Sequence, residues 1–290
     1  MTKLIIKSTI FFFATLLAAN IISTIILHSA KASHYFRAGE EIFFALEKSS
    51  RASNAATAVL GDSVANQLFS LINENKNDMI VLTSNRAISM AGQYIILDNI
   101  IRSDKKLKKI YLVCTPGSLF YDLNEVYTFN YFIKPIYTTY GHALFTDRTN
   151  KIIESKPYSF IYSLPMAQIL PIFNLVDYSS GVSSNTVGNN VISMTSIEYL
   201  KLMKKKCSDS AITFKILPTP ISNKYSVDFI NAKEQVSENN LESVFGKYFD
   251  NITVYDNHFF YNDFIHIKPE FLGSLFSKMN YPATGREVSH

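Results

Sequence analysis

Short apolar runs alternate with amphipathic stretches along much of the chain, starting near position 56. Apolar strand candidates occupy 56–61, 79–83 and 109–115, and helical patterns fill the intervals 64–75 and 87–103. Apolar strands that alternate with helices are typical of a parallel sheet covered on both faces. The pattern therefore predicts an α/β domain with a mostly parallel sheet, and such sheets place their sites at the carboxyl ends of the strands.

The alternation is interrupted between residues 117 and 190. This segment contains the aromatic-rich run FYDLNEVYTFNYFIKPIYTTYGHALF, a helical pattern around 158–174 and the polar run SSGVSSNTVGNN. We interpret it as an insertion that caps the sheet or shapes a pocket, with the polar run as a mobile loop or a lid. Its aromatic residues either form core or stack on sugar rings.

After the insertion the pattern resumes and completes the predicted domain. It predicts a helix near 195–206, strands at 211–220 and 251–256, and a helix beginning at Pro269, since proline is well tolerated in a first turn. The predicted domain covers residues 55–290, including the insertion, and residues 33–54 form a linker with a helix.

Residues 1–32 contain an uncharged run of 20 residues between Lys7 and His28, which is about the length that a helix needs to cross a hydrocarbon layer. Two lysines precede the run and favour a cytoplasmic N-terminus, with the rest on the periplasmic or extracytoplasmic side. The sequence AKA at 30–32 also fits a signal-peptide cleavage site. The segment is a retained anchor, a cleaved signal or a buried helix, and its length favours the anchor.

Composition narrows the possible partners. The net charge is +4, but three lysines in residues 1–32, which contain no acid, supply most of it. The remainder carries 25 basic residues (28 minus 3) against 24 acidic ones. A nearly neutral domain has no field that attracts nucleic acid, and a chain of 290 residues with 47% hydrophobic content is long enough to bury a sizeable core.

The two cysteines, Cys114 and Cys207, leave two alternatives open. In an oxidising compartment they could form a disulfide, but Cys114 lies in the apolar run KIYLVCTP, where it would be a core residue. No close pair of cysteine or histidine residues has zinc-type spacing, so the sequence predicts no metal site.

The first strand candidate ends in Gly61, Asp62 and Ser63, directly before a helical pattern. Glycine lets the backbone turn tightly off the strand, and the serine then lies at a helix N-terminus with unpaired N–H groups. That position suits a nucleophile, because the Ser63 amide and the positive helix end can stabilise an oxyanion. Asp62 either holds the serine turn through hydrogen bonds or only caps the helix.

A serine nucleophile requires a histidine base and a carboxylate that orients it. His266 has an acid three positions earlier, Asp263, and this segment follows the last strand candidate. His258 competes as the base, since alternation in a strand would place it on the same face as Asp256.

The sequences VLGDSVANQL and DFIHI resemble the first and last blocks of the SGNH/GDSL hydrolase superfamily. The resemblance implies a flavodoxin-like three-layer α/β/α sandwich in which Ser63 is the nucleophile, His266 the base and Asp263 its orienter. The family's middle blocks supply an oxyanion glycine after the second strand and an asparagine after the third. Here those places read TSNRAISMAGQ and CTPGSLF.

The candidate oxyanion or substrate-binding residues are Asp62, Asn85, Ala87, Gly117 and Ser118. Asn66 is interpreted as an exposed helix residue, and Arg86 either binds an anionic substrate or lies in solvent. The departure in the middle blocks resembles the branch of envelope polysaccharide O-acetyltransferases and acetylesterases, whose members also carry an N-terminal membrane segment.

This resemblance implies an exported serine esterase or O-acyltransferase that acts on acyl groups, most simply acetyl, of an envelope glycan. The chemistry requires no metal or organic cofactor, and a membrane partner could deliver the acyl donor. The alternative is a noncatalytic glycan-binding or assembly module of the same fold.

Overall fold

The structure is a computed structural model that describes residues 2–29, 40–72, 74, 78–84, 88–123, 132–133, 136–137, 141–155, 164–166, 191–279 and 281. The chain divides into two compact units. One comprises Met1–Phe43 and Val126–Ser183, and the other comprises Phe44–Glu125 and Ser184–His290. The predicted domain boundaries stay predictions.

The first unit contains one long apolar helix, α1 (Thr2–His28). Its stretch Thr2–Ile26 is long and apolar enough to cross a membrane, and it is the one helix with these properties among the described residues. The helix is therefore a candidate membrane anchor or signal peptide. Most of its side chains are exposed, which removes the alternative of a buried core helix.

Aromatic residues of the predicted insertion form part of the core of the first unit. Phe132 and Tyr137 are buried, and their ring centroids lie 5.5 Å and 5.6 Å from that of Phe145. A 3-10 helix (Gly141–Leu144) leads to Phe145, and a helix capped by Thr146 follows it. These three rings are core residues, whereas most of the predicted helix at 158–174 lies outside the described residues.

The second unit is an α/β structure built on a parallel sheet of four strands in the order β2-β1-β3-β4. The strands are β1 (Thr57–Gly61), β2 (Met79–Thr83), β3 (Lys109–Cys114) and β4 (Thr213–Pro218). All three strand pairs are parallel. Two short strands, β5 (Ile221–Ser222) and β6 (Val254–Tyr255), form a separate parallel pair. The mostly parallel α/β class is thus confirmed.

The described residues form further helices in both units. In chain order they are α2 (Glu40–Ser49), α3 (Ser63–Phe69), α4 (Ser89–Ser103), α5 (Gly117–Phe120), α6 (Asp147–Glu154), α7 (Met194–Asp209), α8 (Ser226–Glu238), α9 (Glu242–Phe245) and α10 (Pro269–Lys278). Further 3-10 helices cover Asn223–Tyr225, Phe249–Asn251 and Asn257–Phe259.

Successive side chains of each strand point to opposite faces of the sheet. Val59, Tyr111 and Val113 point to one face, where they form a buried cluster with residues of α3 and α10. Helices α4 and α7 pack against each other and contact β1 and β4. Leu60 and Leu112 point to the other face of the sheet and are fully buried as well. This burial on both faces explains why the strand sequences are continuously apolar.

Two predicted elements differ from the structure. The helical pattern predicted up to Asn75 ends at Phe69. The strand predicted at 251–256 is reduced to β6, which pairs with β5 instead of joining the main sheet. Val254 and Tyr255 are only partly covered, so this strand lacks the two-sided burial that the β1 to β3 runs share.

Cys114 and Cys207 are both free and buried. Burial raises the pKa of both thiols, that of Cys207 to about 12. Cys114 is therefore a core residue, and the alternative of a disulfide between the two is removed.

Candidate active site

Gly61 ends β1 at a point where no side chain fits. A Cβ atom on this residue would lie 2.1 Å from the Val113 carbonyl oxygen and 2.5 Å from the Ala65 Cβ. The φ angle of Gly61 is not positive. Glycine is needed here because β3 and α3 approach this residue closely. A tight turn of the backbone, for which the sequence predicts glycine, is not the reason.

Asp62 is buried and its carboxylate makes five hydrogen bonds. One oxygen accepts from the N–H groups of Val64 and Ala65, both at 3.1 Å, and so caps α3. The other accepts from the N–H and hydroxyl of Thr115 at 2.6 Å and 2.9 Å, and from the Ser118 hydroxyl at 2.7 Å. Asp62 therefore ties the serine turn to the turn after β3, and its predicted substrate contact is not what the structure shows.

Ser118 has the same structural role. Its hydroxyl donates to Asp62 and its N–H donates to the Thr115 carbonyl at 3.0 Å. The side chain is buried, so both donors serve the turn, and the structure does not place them as oxyanion donors. Gly117 is the half-buried first residue of α5. Asn85 and Ala87, the other predicted oxyanion candidates, lie outside the described residues, as does Arg86.

Ser63, His266 and Asp263 form one hydrogen-bonded chain. The Ser63 hydroxyl lies 2.9 Å from His266 Nε2, and His266 Nδ1 lies 2.6 Å from an Asp263 carboxylate oxygen. A neutral imidazole with its proton on Nδ1 donates to Asp263 and accepts from Ser63. The structure thus brings the three predicted residues together in the order that nucleophilic serine chemistry requires.

A closed loop presents His266 to Ser63. Phe260 and Ile267 form an antiparallel bridge at its base, and the Tyr261 N–H donates to the His266 carbonyl at 2.8 Å. Both bridge residues are buried in the cluster with α3. The tip turns at Phe264, whose φ is +58°. The apolar anchors on either side of the loop fix the position of the imidazole.

Asp263 is held by the backbone of the same loop. One of its oxygens accepts from the N–H groups of Ile265 and His266 at 2.9 Å and 3.0 Å. Partial burial acts to raise the pKa of Asp263, but the hydrogen bonds from the His266 side chain and these N–H groups outweigh it, and the pKa lies below its usual value. Asp263 is therefore a carboxylate at neutral pH, the form that orients an imidazole.

Gln67 connects the nucleophile's helix to the base's loop, and the sequence analysis missed it. Its side-chain oxygen accepts from the Ile267 N–H at 3.0 Å, and its amide donates to the Ile267 carbonyl at 3.3 Å. Gln67 follows Ser63 by one helical turn, and Ile267 directly follows His266. A polar residue four positions after a candidate nucleophile, on the same helix face, is the signal that would have indicated it.

Two other candidates have different roles. His258 Nδ1 lies 2.8 Å from Asp256, and its ring packs on Phe259 with centroids 4.0 Å apart. Because His266 is the histidine bonded to Ser63, the alternative of His258 as the base is wrong for this structure. Asn66 is exposed as predicted, and its side-chain oxygen accepts from the Thr83 hydroxyl at 2.8 Å.

Within the described ranges, no group of three or more His, Cys, Asp or Glu side chains could hold a metal ion. Comparison with known proteins yields no relative, since no family model, curated protein or solved structure matches the chain.

Proposed function

We propose that the chain is a serine esterase or O-acyltransferase of the SGNH type, acting on acyl groups of an envelope glycan. The observation that carries this proposal is the hydrogen-bonded chain from Ser63 through His266 to Asp263. The proposal does not require a metal or an organic cofactor, because a serine hydroxyl and an imidazole base can perform acyl transfer by themselves.

The sheet supports the fold that goes with this function. Its strand order 2-1-3-4 is the flavodoxin-like order without the final strand. Ser63 follows β1 at the carboxyl edge of the sheet, where open α/β sheets bind ligands. We therefore propose a flavodoxin-like three-layer sandwich that belongs to the SGNH superfamily.

The mechanism proceeds through an acyl-serine. Ser63 Oγ attacks the acyl carbonyl while His266 Nε2 takes its proton, and Asp263 stabilises the imidazolium that forms. The Ser63 N–H is one oxyanion donor, because the Asp62 side chain caps the following two amides instead. Collapse of the tetrahedral intermediate breaks the ester bond, and His266 protonates the departing alkoxide. Water or a sugar hydroxyl then takes the acyl group by the reverse sequence.

The location of the reaction follows from α1. In the proposal this helix anchors the chain, and the site acts on the periplasmic or extracytoplasmic side. Partners are then an acylated or acceptor glycan and a membrane protein that delivers the acyl donor.

Serine-directed labelling of the full chain in detergent tests this function. We expect a fluorophosphonate to label Ser63 and the chain to hydrolyse a chromogenic acetyl ester, with both activities lost in Ser63→Ala and His266→Ala. Ser274→Ala is the matched control, since Ser274 is an exposed serine on α10, and it should behave like the unmodified chain. Labelling that persists in Ser63→Ala would contradict the proposal.

The second candidate is a noncatalytic glycan-binding or assembly module. It is favoured by one observation, that Ser118 in the turn after β3 donates its hydroxyl to Asp62 where an SGNH enzyme would have an oxyanion asparagine. Binding of a glycan by a chain that neither reacts with fluorophosphonate nor hydrolyses the ester would support this candidate.

A further inference from the structure

The surface of α1 has the opposite polarity to that of a helix in a water-soluble protein. Among its exposed large apolar side chains, the exposed fraction lies between 52%, for Ile6, and 73%, for Phe11. Its covered or half-covered positions are mostly small or polar and follow a helical spacing. They include Leu16, Ala19, Asn20, Ser23 and Thr24. Small and polar residues line helix contacts inside membranes, while large apolar residues face lipid.

A residue of the predicted insertion contacts this covered stripe. The Asn20 side-chain oxygen accepts from the Met166 N–H at 3.3 Å, and its amide donates to the Met166 sulfur at 3.1 Å and to the Leu16 carbonyl at 2.9 Å. Both ends of the amide are thereby paired. An amide group in hydrocarbon costs several kcal/mol when it is left unpaired, so this pairing is what a polar residue within a membrane span requires.

The depth of Asn20 follows from its position on the helix. It lies six residues from residue 14, the midpoint of the apolar stretch Thr2–Ile26, which corresponds to about 9 Å along the axis. The hydrocarbon layer extends about 15 Å to each side of its midplane. In a helix that spans the bilayer, Asn20 and its partner Met166 would both lie within the hydrocarbon.

The sequence around Met166 is compatible with such an environment. No charged residue occurs between Lys156 and Asp177, a run of 20 residues. Leu164, two positions before Met166, is 36% exposed. A chain segment with this composition can enter lipid without placing a charge there.

We propose that Leu164 and Met166 enter the bilayer beside α1, in the leaflet that contains the C-terminal end of this helix. Lipid acyl chains then contact Leu164 and the large apolar face of α1, and Asn20 links the two segments. The inference implies that α1 is retained, because cleavage would remove the partner of Met166. It does not depend on the chemistry of Ser63.

A fluorescent probe on position 164 tests the contact with lipid. Leu164→Cys in the full chain is labelled with the environment-sensitive NBD fluorophore and reconstituted into phosphatidylcholine nanodiscs. The matched control is Ser155→Cys, an exposed site in the same unit, and the chain without an added cysteine gives the background because both native cysteines are buried. We expect blue-shifted emission and at least twofold stronger quenching by acyl-chain spin-labelled lipid at 164 than at 155. Equal quenching at the two positions would overturn the proposal.

Cross-linking tests the contact with α1 separately. Asn20→Cys combined with Met166→Cys should form a disulfide in the same nanodiscs. Ile22→Cys combined with Met166→Cys should not, because Ile22 is exposed on another side of the helix. Cross-linking with both pairs or with neither would overturn the proposed packing, and a retained cross-link with an aqueous probe at 164 would overturn insertion into lipid.

Discussion

Gln67 and Ile267 are joined by two hydrogen bonds across 200 positions of the chain. One bond is donated by the Gln67 amide and the other is accepted by its carbonyl oxygen, so the side chain continues the backbone pairing of the loop. Since Ser63 and His266 lie on the two segments that this contact joins, Gln67 is a positioning residue for the bond between hydroxyl and imidazole.

Replacement of Gln67 by leucine should lower kcat more than it changes KM. Loss of two hydrogen bonds that together stabilise the loop by about 1–2 kcal/mol would lower kcat about tenfold while substrate contacts persist. Gln67→Glu retains the acceptor for the Ile267 N–H and should recover part of the rate. Steady-state kinetics with an acetyl ester, together with thermal unfolding, measure both effects. A lower melting temperature with unchanged kcat would show that Gln67 is only structural.

The Asp263 carboxylate should increase the free energy of unfolding at neutral pH, and this contribution should disappear in acid. The folded state lowers the pKa of Asp263, so its carboxylate stabilises the fold above the unfolded pKa of about 4. That contribution disappears as the pH falls through the lowered folded value. Urea unfolding should therefore show Asp263→Asn to be less stable than the unmodified chain at pH 7. The difference should vanish at strongly acidic pH, and a constant difference would contradict the assignment.

Substitution of Asp62 by asparagine should destabilise the fold as well as reduce activity. The carboxylate accepts five hydrogen bonds in a buried position, and an amide group cannot accept at both ends. We expect a loss of about 2–4 kcal/mol in the free energy of unfolding. Asp209→Asn is the control, because the Asp209 side chain is 60% exposed in an ion pair with Lys205, and its loss should be under about 1 kcal/mol.

The two glycines Gly61 and Gly273 should respond in opposite directions to alanine. A Cβ on Gly61 would lie 2.1 Å from a backbone oxygen, whereas one on Gly273 would meet nothing within 4 Å. We expect Gly61→Ala to destabilise the chain by about 3 kcal/mol. Gly273 lies in the interior of α10, where alanine should stabilise by about 0.5–1 kcal/mol. Denaturant unfolding compares the two, and a tolerated Gly61→Ala would refute the close approach of β3.

Strands β1, β2 and β3 were predictable because both of their faces are mostly buried. The runs at 56–61, 79–83 and 109–115 correspond to β1, β2 and β3 within one residue at either end. The chain after β4 was harder to predict, since the pairing of β5 with β6 depends on contacts between segments 33 residues apart (254 minus 221) and leaves little periodicity in either.

For the candidate site, the sequence indicated the serine, histidine and aspartate of the proposed catalytic chain but not the residues that hold them in place. Ser63 follows the first strand candidate, Asp263 and His266 follow the last one, and the two short sequences that contain them resemble the SGNH blocks. Asp62 bonds to the turn after β3, and this depends on the register of β1 with β3, which local patterns do not encode. Ser118 was wrongly predicted as an oxyanion donor for this reason. It follows the expected strand, but its hydroxyl donates to Asp62.

The exposure of the proposed site affects whether its acyl group passes to water or to a sugar hydroxyl. The side chains of His266 and Asp263 are 37% and 45% accessible, so solvent reaches the base directly. An acyl group carried by Ser63 would meet water as soon as the first product leaves. In the proposed mechanism hydrolysis then occurs unless a sugar hydroxyl is already bound next to the acyl-serine when the first product leaves.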